Sequence, residues 1–185
     1  MNQKTPAGSE SLQDLLEKFE IGPGEWHSLL VGDGSATTWE NSAGWSSVLI
    51  QKHVPGRKPF YGGMSCGTNN VAELMAVLHP LMYIANNQED LPVGGHHVHV
   101  ITDSSYVANG LEHDNPVWIS GLGKNRELWM ALYALRRKGI IPHPHHVIRD
   151  TVELNKVAHD LANESRLAMN SITPDHERII KSNAG

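Results

Sequence analysis

Four carboxylates in this chain stand where secondary structure, rather than solvent, should fix them: Asp33, Glu73, Asp103 and Asp160. Asp33 belongs to an alternating run, Ser28 to Ser35, with Leu29, Val31 and Asp33 on one face and Leu30 and Gly32 on the other, the period of a half-buried strand. Asp103 follows the run His97 to Thr102 directly. Glu73 falls in the first turn of a helical stripe made by Leu74, Val77, Leu78, Leu81 and Ile84, and Asp160 on a last helix from Asn155 to Met169. If the two runs are neighbouring strands, Asp33 and Asp103 face each other and the crossover helix lowers Glu73 toward the same point. Carboxylates so crowded hold protons unless a cation sits among them. An all-oxygen ligand set favours Mg²⁺ or Mn²⁺. With Asp160 as a fourth acid, two ions about 3.5–4 Å apart could activate a water and stabilise the departing oxygen of a phosphodiester. Taken singly, each acid is more often a turn residue, a cap or a surface charge; only the four together point to this chemistry.

The elements that must position them read as follows. A polar lead precedes an amphipathic helix carrying Leu12, Leu15, Leu16 and Phe19, ended at Ile21 to Gly24 and expected to pack on the domain. Runs at Ser28 to Ser35, Gly44 to Lys52 and Lys58 to Ser65 form three antiparallel strands joined by turns at Ala36 to Ala43 and Val54 to Arg57. Asn69 or Asn70 caps the long helix, which Pro80 should kink. A strand at His97 to Thr102, a short helix at Ser104 to Gly110, a helix at Asn125 to Lys138 and a fifth strand at His145 to Arg149 precede the last helix. The order β-β-β-α-β-α-α-β-α implies an α/β fold with a mixed five-stranded sheet, strand 4 parallel to strand 1 through a right-handed crossover. The organisation expected is an extension over 1–25, a catalytic domain over 26–169 and a frayed tail over 170–185.

Composition bounds the partners. The 185 residues contain 15 Lys plus Arg against 20 Asp plus Glu, a formal charge of −5, which argues against a protein that clings unspecifically to phosphate backbones. No apolar run is long enough to cross a membrane, and the polar amino terminus lacks a secretory pattern, so a cytoplasmic location is expected. The single cysteine, Cys66, rules out an intramolecular disulfide and is expected to be buried at a strand end. Histidines alternate at His96, His97 and His99 and recur at His143, His145 and His146; they read as surface residues or hydrogen-bonding partners between strands rather than zinc ligands.

Six blocks in order resemble the ribonuclease H type 1 family: Asp33-Gly34-Ser35, Gly44-Trp45, Thr68 to Leu74, Thr102 to Val107, Asn125 to Trp129 and Asn155 to Ala162. The resemblance implies a ribonuclease H-like fold with strand order 3-2-1-4-5 and an endoribonuclease that cuts the RNA strand of RNA/DNA hybrids with two Mg²⁺ ions, Mn²⁺ substituting. It makes Asp33, Glu73, Asp103 and Asp160 the catalytic metal ligands. It also makes Asn69 and Asn70 the residues that meet bases and sugars in the minor groove, where the 2′-OH marks RNA, and Thr68 and Asn125 the holders of a DNA-strand phosphate. Gly34, Ser35 and Ser105 complete the substrate contacts it implies.

The chain departs from that family in two places. The histidine usual about ten residues before the last acid is replaced by Asp150, which could approach the second ion, while neither His146 nor His159 is an obvious substitute. Only Pro116 to Lys124, including Trp118, stands where many members carry a basic helix, and the loop with Trp39 and Glu40 lacks the usual glycines. A monomer is expected, with a protein partner supplying the absent basic surface. The rival readings are a DNA junction resolvase or 3′ exonuclease on the same fold, and a catalytically weak nucleic-acid binding module.

Overall fold

The computed structural model describes residues 10–37, 42–87, 91–113, 124–149 and 151–182, with the backbone alone described for 170–182. Trp39, Glu40, Trp118 with most of its segment, and Asp150 lie outside the described residues. Strands β1 (Ser28–Thr37), β2 (Ser42–Gln51), β3 (Val54–Met64), β4 (His96–Thr102) and β5 (Ile140–His146) form one sheet in the order β3-β2-β1-β4-β5. β1 pairs antiparallel with β2 and parallel with β4, and β5 is parallel to β4. The helices are α1 (Leu12–Lys18), α2 (Asn69–Asn87), α3 (Ser105–Glu112), α4 (Arg126–Arg137) and α5 (Glu153–Ser182).

The alternation of β1 sorts its side chains as its sequence requires. Leu30 enters a core under α2, α3 and α4 with Leu74, Val77, Val107, Trp129 and Leu132. Leu29 and Val31 enter a second core on the opposite face with Leu15, Trp26, Ile101 and Leu154. Leu15 ties α1 to this face with no exposed surface, a burial worth about 2 kcal/mol. Ser11 closes the start of α1 with a capping box, its side chain accepting from the Asp14 amide and the Asp14 side chain from the Ser11 amide. Among the described residues, no helix is long and apolar enough to cross a membrane.

Several features differ from the expectation drawn from sequence. The β2–β3 connection is a tight turn at Lys52 and His53, so 54–57 belong to β3 rather than to a loop. β5 lies at Ile140–His146, upstream of the predicted His145 to Arg149; Pro142 and Pro144 hide it, because proline reads as a strand breaker yet is tolerated on an edge strand. α5 continues past Met169 to Ser182. Thr68, not Asn69 or Asn70, caps α2, accepting from the Val71 amide at 3.4 Å. Cys66 is exposed rather than buried.

Candidate active site

The parallel register of β1 and β4 pairs Val31 with Ile101; two residues further on, Asp33 within β1 and Asp103 just past the end of β4 stand at the same level. α2 must come close to bring a third acid to them, and Gly34 permits it. A Cβ at Gly34 would stand 2.5 Å from the Glu73 amide nitrogen and 2.8 Å from the Ala72 carbonyl carbon, both backbone atoms that cannot rotate away. Any side chain here would push the first turn of α2 off the sheet. α5 approaches β2 from the other face by the same device: a Cβ at Gly44 would overlap the Ala162 carbonyl oxygen and stand 2.5 Å from the Arg166 amide nitrogen. Ser46 Oγ donates to the Ala158 carbonyl at 2.6 Å and locks that approach.

Asp33, Glu73 and Asp103 therefore converge, each offering a carboxylate oxygen within 4.8 Å of the others. Asp33 is fully buried and Glu73 is 3% exposed. Burial, and then the neighbouring acids, pushes the Glu73 carboxyl up to about 9 and raises Asp33 as well. Glu73 Oε1 accepts from Asn69 Nδ2 at 3.1 Å, and Asp103 Oδ2 from Arg149 Nε at 2.8 Å. Glu73 Oε2 and Asp103 Oδ1 are buried with no hydrogen-bond partner. Two unsatisfied acceptors inside a cluster of repelling acids are the atoms a hard divalent cation would take, and its charge would displace the protons that burial otherwise imposes. The residues fit such an ion.

Asp160 is described and exposed on α5, outside this convergence. Its neighbour enters instead: His159 Nδ1 lies 2.7 Å from Asp33 Oδ2. Successive helical side chains diverge by about 100°, so a helix that aims His159 at Asp33 turns Asp160 away. Asn163, one turn on, reaches His159 Nε2 at 2.9 Å and accepts from Ser35 Oγ at 2.5 Å. Phasing this helix on its acid hides His159. The signal was present in Asn155, Ala158 and Ala162, all buried, since His159 follows Asn155 by one turn. Ten residues before His159 stands Arg149, the residue that touches Asp103. His146 also approaches, with Nε2 3.2 Å from the Asp103 carbonyl oxygen.

The remaining candidates are distributed around the acids. Thr68, Asn69 and Asn70 are exposed at the start of α2, and Ser105 is exposed at the start of α3. Asn125 precedes α4 in the left-handed region, at φ 60°, and makes no cap; its Nδ2 donates to the Tyr106 hydroxyl at 3.2 Å. Trp129 Nε1 donates to the same hydroxyl at 2.8 Å, so Tyr106 ties α3 to α4. The strand histidines pair across β4 and β5, His97 with His143 and His99 with His145, each at 2.8 Å between ring nitrogens.

The family model for RNase H matches residues 27–166. The ribonuclease H of Neorickettsia sennetsu is 31% identical over 111 residues, covering 56% of this chain and 68% of the relative. The matched stretches span 53% to 68% of the lengths of the first curated relatives. Among solved structures, LC11-RNase H1 in complex with an RNA/DNA hybrid superposes with a TM-score of 0.61 at 19% identity, covering 75% of this chain and 96% of that one. The N-terminal RNase H domain of a Mycobacterium tuberculosis protein gives 0.60 at 20% identity, covering 78% and 96%. At such identities these structures speak for the fold.

Proposed function

The chain belongs to the RNase H family, and from that membership we propose that it is an endoribonuclease hydrolysing the RNA strand of RNA/DNA hybrids, with divalent ions held by Asp33, Glu73 and Asp103. The observation that carries this reading is the convergence of three acids, two of them with buried unpartnered oxygens. Two Mg²⁺ ions, with Mn²⁺ able to substitute, would activate a water and neutralise the departing 3′ oxygen of the ribose.

The chain's own residues would do the rest. Asn69 fixes Glu73 Oε1, so the unpartnered Oε2 is the oxygen left to face an ion. Asn70, exposed beside it, would present its amide to the minor groove, where the 2′-OH distinguishes the strand to be cut. Thr68 and Asn125 would hold a phosphate of the DNA strand, and Ser35 and Ser105 would add substrate contacts, while Gly34 is buried against α2 and would act through that packing. Arg149, 54% exposed while pairing with Asp103, can swing from the carboxylate to a substrate phosphate, which a guanidinium grips in two places. With a formal net charge of −5, a partner protein would supply further grip on the duplex.

The test is a substrate panel under one set of conditions: labelled hybrid, duplex RNA and duplex DNA with Mg²⁺, each also with chelator. Cleavage of the RNA in the hybrid alone, abolished by chelation, is the expected result. Preferential cutting of duplex or branched DNA, or binding without turnover, would replace this reading with one of its rivals.

A further inference from the structure

We propose that His159, not Asp160, is the residue α5 contributes to this centre, and that it acts as the positioning residue for Asp33. The inference rests on the metal-centre reading above and adds to it a side chain that is not a carboxylate.

The hydrogen-bond directions around the ring fix its role. Ser35 Oγ donates to Asn163 Oδ1, which leaves the Asn163 amide nitrogen, a donor only, facing His159 Nε2 at 2.9 Å. Nε2 must therefore accept, so the ring proton sits on Nδ1 and is donated to Asp33 Oδ2 at 2.7 Å. Asp33 Oδ1 in turn accepts from the Gly34 amide at 2.8 Å. The most buried acid of the cluster is held at both oxygens, one by backbone and one by an imidazole whose tautomer is dictated from β1 itself. Ser35 and Asp33 lie on the same face of β1, two residues apart, and His159 and Asn163 on the same face of α5, one turn apart. The four residues close a loop between strand and helix, and α5 is pinned there by its contact at Gly44. Asp160 has no place in this loop.

Isothermal titration with Mn²⁺ on the full chain, without nucleic acid, tests the proposal, with melting temperature as the check on folding. His159→Ala should weaken Mn²⁺ binding about 10–100-fold, the usual cost of removing a group that orients a ligand. His159→Asn should restore binding to within about threefold, because the asparagine amide nitrogen occupies nearly the position of Nδ1, whereas His159→Gln, whose nitrogen corresponds to Nε2, should behave as alanine does. Asp160→Asn should change affinity less than about twofold. Asp33→Asn is the control that separates the two readings. If it weakens Mn²⁺ binding while His159→Ala does not, or if Asp160→Asn weakens binding as much as His159→Ala, this proposal is overturned and the metal centre stands. If Asp33→Asn itself leaves Mn²⁺ binding unchanged, both fall.

Discussion

Replacing Gly34 with alanine should damage the centre without touching an acid. The added Cβ would lie 2.5 Å from the Glu73 amide nitrogen, against an ordinary contact beginning at 3.4 Å, so strand and helix must separate by about 0.9 Å. Overpacking of this kind costs about 1–3 kcal/mol, which in a chain of this size lowers Tm by roughly 2–12 °C. Because the atom displaced belongs to Glu73 itself, the carboxylate moves with the helix, and a shift near 1 Å in a catalytic constellation costs on the order of 10²-fold in rate. Gly24→Ala, where no atom lies within 4 Å of the added carbon, is the control for handling and for loss of backbone freedom. The assay is hybrid cleavage at a temperature where both variants are fully folded. A Gly34→Ala protein that melts within 1 °C of wild type, about the resolution of the scan, and cleaves within about twofold of it would refute the close-approach argument.

Further expectations follow from the same geometry. Asn69→Asp puts an acceptor where a donor now meets Glu73 and should lower both metal-free stability and cleavage, while Asn70→Asp should leave Tm unchanged and reduce hybrid cleavage; a loss at Asn70 that tracks Tm would make it a structural residue only. Burial holds His96 and His145 down to about 4 and lowers His99 and His143. These rings bind fewer protons folded than unfolded, so their stabilisation is intact above about pH 6.5 and is lost as pH falls toward 4. Glu73, raised to about 9, runs oppositely: its contribution is full below about pH 4.5 and is lost as pH rises toward 9. In Glu73→Gln that opposing contribution is gone, so stability should fall more steeply than in wild type between pH 7 and 5, each strongly depressed ring contributing about 1 kcal/mol to the fall after allowance for solvent; a slope no steeper than that of wild type would contradict it. Hybrid binding by an inactive variant should show a shallow salt dependence, short of the slope for six phosphate contacts at about 0.9 each; a steeper one, measured at fixed Mg²⁺, would reveal a basic surface elsewhere.

The sheet was legible because β1 obeys a strict alternation and because the parallel register brings Asp33, within β1, level with Asp103, just past the end of β4. Glu73 was legible as a first-turn acid, although its close approach depends on Gly34, whose role appears only when backbone distances are known. β5 escaped because Pro142 and Pro144 suppress the strand signal at a position where the missing amides cost nothing. His159 escaped for a different reason. A helix carries a phase as well as a span, and between adjacent residues an acid drew the assignment although the buried stripe through Asn155, Ala158 and Ala162 favoured the imidazole. The capping assignment failed at short range: Thr68 supplies the cap, which leaves Asn69 free to bind Glu73.

An ion-dependent centre on Asp33, Glu73 and Asp103 is tested by the rate at which wild type and Asp103→Asn cut the RNA strand of one hybrid at saturating Mg²⁺, with Tm recorded for both. Asp103 carries a buried oxygen without a partner and stands at the meeting point of the acids. Its neutralisation should abolish cleavage, leaving less than about a tenth of the wild-type rate, in a protein that still melts cooperatively near the wild-type temperature. A folded Asp103→Asn protein that keeps more than a tenth of the rate would contradict an ion-dependent centre built on these three carboxylates.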